Sequence, residues 1–357
     1  MPSDTRDGAR WTGNGPVVLV TGGAGFVGSH TCKALAGAGF RPVVYDNLSN
    51  GARQAVQWGP LEVGDLDDAE RLAAVVAAYA PKGVLHFAGR IEAGASVTDP
   101  AAFYDANVAA TLTLLRVMRA AGLDAIVFSS TAAVYGDPDV LPIPETHPLH
   151  PVNPYGRTKR MAEEILADLH TAEGLRYAAL RYFNAAGADP DGDLWETHQP
   201  ETHLIPLTVQ AALGLRPEIA VFGTDYDTPD GTCVRDYVHV ADLAQAHVLA
   251  LGRLLGGGAP LVANLGTGRG HSVREVVATV ERVTGRPVPT RIAPRRPGDP
   301  PTLVAAPDTA IAELGWRPIH AALEAQVRDS VRGERRRAGL QAPDDGGPLS
   351  ASGSAPP

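Results

Sequence analysis

Tyr155 and Lys159 stand four residues apart in Tyr155-Gly-Arg-Thr-Lys159, the spacing that sets two side chains on one face of a helix. A phenol titrates near 10, so using it as a base near neutrality requires a neighbouring positive charge that stabilises the phenolate. Lys159 could supply that charge. The spacing alone is a frequent accident in helices, but lysine occurs only at Lys33, Lys82 and Lys159, with arginine at every other basic position. A compact ammonium tunes a neighbour's pKa better than a guanidinium does. Thr131 ends the run Ile126-Val-Phe-Ser-Ser-Thr131, and its hydroxyl could hydrogen-bond a substrate oxygen. A structural cap is the competing reading for Thr131. The Pro-rich stretch 138–154 between it and Tyr155 would let both reach one cleft.

The elements that must position this set read as alternating strands and helices. Val17-Val18-Leu19-Val20 is a short β-branched run suited to a strand buried on both faces. It feeds directly into Thr21-Gly22-Gly23-Ala24-Gly25-Phe26-Val27-Gly28 and a helix. Glycines at 22, 25 and 28 place side-chain-free backbone against a pyrophosphate at a helix N-terminus. A second strand, 42–45, ends at Asp46, which can accept ribose hydroxyls and would repel a 2′-phosphate, so NAD is expected over NADP. Further units follow: a strand at 61–66, a helix at 67–79, a strand at 83–89 and a long helix at 101–121 carrying Asn107. Asp65 reads either as an adenine neighbour or as the N-cap of the helix after it. The alternation predicts an α/β fold with a Rossmann-type doubly wound parallel sheet and a smaller α/β substrate-binding domain.

The chain of 357 residues is long enough for two domains, and 44% hydrophobic content fits a globular protein. Residues 1–15 and 338–357 are expected to be disordered extensions. Residues 16–184 are expected to form mainly the dinucleotide domain with the catalytic residues, and 185–337 mainly the substrate domain, with some chain crossing back to the first sheet. A net charge of -9 argues against a nucleic-acid partner. No apolar run reaches membrane-spanning length, and the N-terminus lacks the apolar core of a secretory signal, so a cytoplasmic protein with no membrane partner is expected. Two cysteines and eleven scattered histidines show no metal-ligand spacing, and no metal is expected.

The motif set resembles the extended short-chain dehydrogenase/reductase superfamily, and within it most nearly the UDP-glucose 4-epimerase family. The resemblance runs from about Pro16 to Trp316. Besides the glycine turn and Tyr155-Gly-Arg-Thr-Lys159, it is carried by Asp46-Asn-Leu48, His86-Phe-Ala-Gly89, Ser129-Ser-Thr-Ala-Ala-Val-Tyr-Gly136 and Arg181-Tyr-Phe-Asn184. It continues through Thr202-His-Leu-Ile-Pro206, Asp230-Gly-Thr-Cys-Val-Arg-Asp-Tyr-Val-His239 and Asn264-Leu-Gly-Thr-Gly268.

The resemblance implies NAD contacts from Gly22, Gly25, Phe26, Val27, Gly28, Asp46, Asn47, Asn50, Phe87, Ala88, Gly89, Asn107, Ser129, Tyr155, Lys159 and Tyr182, with Asp65 and Leu66 near adenine. It implies substrate contacts from Thr131, Tyr155, Asn184, His203, Leu204, Ala220, Phe222, Arg235, Arg296, Asp299 and Leu303, the arginines on a diphosphate and Asp299 on a ribose. The implied chemistry is 4-epimerisation of a UDP-hexose through a transient 4-keto sugar, in a homodimer built on the helices 101–121 and 155–170. A uronate or pentose 4-epimerase, a nucleotide-sugar 4,6-dehydratase and a non-catalytic NAD sensor are the alternatives. Dehydration is disfavoured by Ala132 and Ala133, which cannot exchange protons where that chemistry needs an acid pair. Two departures stand out. Ile91 replaces the family's common lysine, leaving Arg90 as a possible substitute charge, and Leu303 replaces a bulky tyrosine, which leaves room for an N-acetyl group.

Overall fold

The computed structural model describes residues 11, 14–198, 200–296 and 298–340. β1 (Val17–Thr21) passes through the glycine turn into α1 (Phe26–Gly37), followed by β2 (Arg41–Asp46), β3 (Leu61–Val63), α2 (Ala69–Tyr79) and β4 (Gly83–His86). Two short helices, α3 (Ala93–Thr98) and α4 (Pro100–Tyr104), precede a π turn at Asp105–Ala109 and α5 (Ala110–Ala120). β5 (Ala125–Thr131), α6 (Pro154–Glu173), β6 (Arg176–Tyr182) and β7 (Asn184–Ala186) come next. The rest comprises α7 (Leu204–Ala212), β8 (Ile219–Phe222), β9 (Val234–His239), α8 (Val240–Leu255), β10 (Leu261–Leu265), β11 (Gly270–Ser272), α9 (Val273–Thr284), β12 (Thr290–Ala293), β13 (Thr302–Leu303), α10 (Asp308–Leu314) and α11 (Leu323–Arg337).

Seven strands form one parallel sheet in the order β10-β6-β5-β4-β1-β2-β3. Its central strands are fully buried and mainly apolar, as expected when helices cover both faces, with polar residues such as His86, Ser129, Ser130 and Thr131 at their carboxyl ends. Leu72, Leu114, Met118 and Leu166 from α2, α5 and α6 pack on one face. Cys32, Leu35, Leu243, Ala250 and Leu254 from α1 and α8 pack on the other, closed by Trp316. Each such side chain contributes about 1.5–3 kcal/mol on burial. The strand order reverses between β1 and β4, so their carboxyl ends diverge into a crevice, the usual ligand position of an open parallel sheet.

The second unit is built around β9, which pairs with β7, β11 and β13, and around the β8–β12 pair, under α7, α9 and α11. Residues 240–265 return to the first sheet as α8 and β10. Two carboxylates hold its turns: Asp236 accepts from Thr267 N (2.9 Å), Thr267 Oγ1 (2.7 Å) and Gly268 N (3.1 Å), and Asp242 accepts from Ile319 N and His320 N.

Several expected bounds shift. The helix expected at 101–121 is interrupted by the π turn, which Asn107 occupies. The helix expected at 67–79 starts at Ala69, because Asp68 caps it through Arg71 N. Asp65 is therefore not its cap. Residues 1–10, 12, 13 and 341–357, which hold most of the two expected extensions, lie outside the described residues. Trp11 is docked, donating Nε1–H to Pro42 O at 2.9 Å beneath the Arg41 guanidinium.

Candidate active site

The glycine turn is dictated by contact. Gly22 has φ +73°, and a Cβ there would lie 2.5 Å from Ala88 N, in the strand end across the crevice. A Cβ on Gly28 would meet Gly22 O at 2.3 Å. The N-cap of α1 is Gly25, with no side-chain cap and no acid in the first turn, so the first amides of α1 are left for an anion. Asp46, 8% exposed, anchors the turn through Ala24 N (2.9 Å) and Leu48 N (2.8 Å). Each of its oxygens accepts one backbone amide and can accept more, and Asn47 and Asn50 just beyond it are exposed. These features fit a dinucleotide with free ribose hydroxyls. Gly28→Ala is expected to weaken NAD binding about tenfold or more, measured by titration of NAD-stripped protein; unchanged affinity would show that the turn yields freely.

The remaining expected cofactor residues divide into lining and support. Ala88 and Gly89 flank the turn with backbone, whereas Phe87 turns its ring onto His247, with centroids 4.7 Å apart. Phe26 stacks on His30, Val27 is half-buried beside it and Leu66 is buried in the core. Asp65 is exposed and receives Asn47 Nδ2–H at 2.7 Å. Asn50 lines a cavity of about 380 Å³ with Trp195 and Arg336. Asn107 is a brace: its amide donates to Arg90 O (3.0 Å) and Thr158 Oγ1 (3.0 Å) and accepts from Arg90 N (2.8 Å). Arg90 lays its guanidinium over Phe103, 6.0 Å from the ring centroid, and Ile91 is exposed.

The catalytic candidates meet at the carboxyl end of β5. α6 begins at Pro154, capped by Asn153 through Gly156 N at 2.9 Å, so Tyr155 and Lys159 lie on successive turns. Parallel pairing of β5 with β6 sets Thr131 beside Tyr182. Lys159 is buried and donates to Ser129 O at 2.9 Å, with its ammonium 4.8 Å from the Phe128 ring centroid. Burial lowers Lys159 to about 8, and the Glu163 carboxylate one turn further resists that fall. Tyr155 is half-buried. Burial pushes it up to about 12, the hydrogen bond with Thr131 pulls it down, and the charge of Glu92 adds to the rise. The expected fall of the phenol towards operating pH calls on Lys159 and the cationic nicotinamide together; within the protein alone burial outweighs the hydrogen bond with Thr131. Thr131 serves both readings: it reaches Tyr155, and its Oγ1 accepts from Ala133 N at 3.2 Å. Ser129 Oγ and Tyr182 OH hydrogen-bond each other, and burial raises Tyr182 further.

Of the expected substrate residues, Arg235 Nη2 lies 2.5 Å from Asp299 Oδ1, so the two stand side by side as an ion pair. Arg296 is exposed and stacks its guanidinium 3.9 Å from the centroid of Phe222. Ala220 lies on the same strand, two residues before Phe222. Leu303 pairs in register with Arg235 and, like Phe183, packs against the cluster of Ala132, Val134, Tyr135 and Ile143. Asn184 opens β7, and His203 is the N-cap residue of α7, ahead of Leu204. His203 Nδ1 lies 2.8 Å from Glu201 Oε1; burial opposes its charge, but the hydrogen bond with Glu201 and the charges of Glu196 and Glu201 leave it raised.

Three groups escaped the sequence reading. Glu92 and His198 join across the cleft, Nε2 to Oε1 at 2.9 Å. Glu163 is the buried partner of Arg181, at 2.5 Å. Lys33 sits among Asp189, Asp191 and Asp193 at 2.6, 2.8 and 2.9 Å, tying α1 to the loop 189–193. Their signals were present: Glu163 continues the four-residue spacing of Tyr155 and Lys159, and Glu-Thr-His recurs at close range, at 196–198 and 201–203.

Comparison with known proteins matches residues 18–266 to the NAD dependent epimerase/dehydratase family. The UDP-glucose 4-epimerase of Rhizobium meliloti is 58% identical over 301 residues, covering 84% of this chain and 92% of that protein. The crystal structure of UDP-glucose 4-epimerase from Brucella ovis in complex with NAD superposes with a TM-score of 0.87 at 52% identity, covering 89% of this chain and 99% of that one. The UDP-glucose 4-epimerase of Stenotrophomonas maltophila, solved with NAD and formylated UDP-arabinopyranose, gives 0.88 at 42% identity over 91% and 99% of the two chains.

Proposed function

Because the chain belongs to the NAD dependent epimerase/dehydratase family, we propose that it is an NAD-dependent enzyme that interconverts UDP-glucose and UDP-galactose by inverting C4. The observation that carries this reading is the convergence of Tyr155, Thr131 and Lys159 beside the glycine turn, followed directly by Ala132 and Ala133. The turn 22–28, Asp46 and the backbone of Ala88 and Gly89 would hold the dinucleotide. When bound, NAD would supply a hydride acceptor and a positive charge near the phenol. Tyr155 takes the proton of the 4-hydroxyl while Thr131 orients that oxygen. Lys159, fixed on Ser129 O, holds a positive field next to the phenolate that forms. The same proton returns when the keto sugar is reduced on its other face, so no acid pair is needed. Arg235 and Arg296 bind the diphosphate, Asp299 the ribose, and Phe222 the uracil. A firm grip on the nucleotide leaves the sugar free to turn.

Leu303 supports a wider substrate range. A leucine packed against the cluster of Ala132, Val134, Tyr135 and Ile143 leaves space that a tyrosine would fill, so the N-acetylhexosamine pair is a second substrate. Purified protein, incubated without added cofactor with UDP-hexoses, UDP-N-acetylhexosamines, a UDP-uronate and a UDP-pentose, is expected to form the 4-epimers of the first two classes. No 4-epimer from any sugar would overturn the enzymatic reading in favour of a sensor. Leu303→Tyr is expected to lower kcat/KM for the N-acetyl sugars about tenfold or more while sparing the plain pair; equal effects on both would sink the role given to Leu303. We place the protein in the cytoplasm as a homodimer joined through α4, α5 and α6. Among the described residues no helix is long and apolar enough to cross a membrane, and exposed Met161 on α6 supports that interface.

A further inference from the structure

The loop 87–92 leaves β4 beside the glycine turn and forms one wall of the cleft. Asn107 pins it at Arg90 from below. Its far end is Glu92, the N-cap residue of α3, whose side chain does not cap that helix. Glu92 Oε2 accepts from Ile91 N at 3.2 Å, and Oε1 meets His198 Nε2 at 2.9 Å. His198 belongs to a different wall. Its segment is fastened at 189–193 to α1 through Lys33, and to α11 through Arg332 on Pro190 O and Arg336 on Gly192 O. Glu196 Oε1 then accepts from Thr197 N and His198 N, at 3.0 and 2.9 Å, setting the course of the segment as it reaches Glu92. The contact with Glu92 therefore spans 106 residues of sequence and joins the cofactor wall to the segment leading into His203 and α7.

Two details separate this pair from an ordinary surface ion pair. The His198 side chain is 8% exposed and that of Glu92 26%. His198 Nδ1 is buried without a partner, so the ring's polar contact is the one through Nε2 to Glu92. The pair also lies beside the chemistry: Glu92 leads into α3, which packs on α6, the helix of Tyr155 and Lys159, and its charge adds to the rise of Tyr155. We propose that Glu92 and His198 are positioning residues that latch the mouth of the cleft, keeping both NAD and the 4-keto sugar from leaving between the two half-reactions.

The proposal rests on the epimerase reading and assigns the closure of its cleft. If the keto sugar escapes, the hydride from C4 stays on the nicotinamide, the hydroxyl proton stays with Tyr155, and the enzyme is left reduced and inactive. Escape is therefore countable as turnovers completed before the absorbance of reduced nicotinamide appears and activity stops. Holoenzyme carrying Glu92→Gln, His198→Asn or both is compared with wild type on UDP-galactose, with thermal denaturation to verify folding. A second arm follows NAD release after dilution, which needs no turnover. Each single variant is expected to raise escape per turnover and NAD release about tenfold, and the double variant to be no worse than the more affected single, as for groups acting as one. Wild-type escape and release in the folded variants would overturn the latch, as would effects that multiply in the double. A wild type that epimerises no UDP-sugar would instead refute the functional reading, while the release arm still decides the latch.

Discussion

Tyr155→Phe is expected to lower kcat by about three orders of magnitude, within the roughly 10²–10⁴-fold that a positioned acid–base group supplies. NAD content and thermal stability are expected to stay near wild type. The substitution removes one oxygen, and its ring still fills the mouth of the cleft. The size of the loss follows from the phenol's resting position. At about 12, the hydroxyl holds its proton firmly, and Lys159 is committed to Ser129 O. The phenol becomes a useful base only when positive charge arrives beside it. The difference absorbance of wild type minus Tyr155→Phe should accordingly titrate near 12 in NAD-stripped protein and at lower pH with NAD bound. A phenol that titrates alike in both forms, or a variant that keeps more than about a tenth of kcat, would remove Tyr155 from the role of base.

Strand alternation, the glycine turn and the Tyr-Lys pair were legible in the sequence because each depends on local rules. A strand buried on both faces reads as a nearly continuous apolar run, and a turn whose Cβ positions collide with backbone must be glycine. Contacts set by tertiary approach were not legible. Arg235 and Asp299 read as two ligand contacts, and nothing local showed that they also pair with each other at a separation of 64 residues. Asn107 read as a cofactor contact, but the π turn points its amide at Arg90 and Thr158, which makes it a brace for the cofactor wall. The interrupted helix left no mark in the apolar pattern of residues 101–121. Glu92 was masked because its neighbour Ile91 drew attention as a missing lysine, while its partner lies in another part of the chain.

Glu163→Gln is expected to cost about 3–5 kcal/mol of stability, the usual penalty for leaving one buried charge without its partner. The measurement is a lower denaturant midpoint at unchanged slope. Glu163 and Arg181 side chains are 7% and 6% exposed. Arg181 binds both carboxylate oxygens, Ser130 Oγ donates to Oε1 at 2.5 Å, and the network runs on from Arg181 Nη1 to Tyr135 OH at 3.0 Å and to Asn264 Oδ1 at 2.6 Å. The same substitution acts on the active site through charge. Burial depresses Lys159 to about 8 and Glu163 works against that depression, so without the carboxylate the ammonium loses its proton at lower pH. Activity that depends on that charge should then fail on the alkaline side earlier than in wild type. Adding Arg181→Met separates the two effects. Removing both buried charges restores much of the stability, because an apolar replacement of a buried pair is often neutral or better. It cannot restore the carboxylate beside Lys159, so the shifted alkaline limb should persist in the double variant. A double variant whose pH profile returns with its stability would mean that Glu163 serves only the fold.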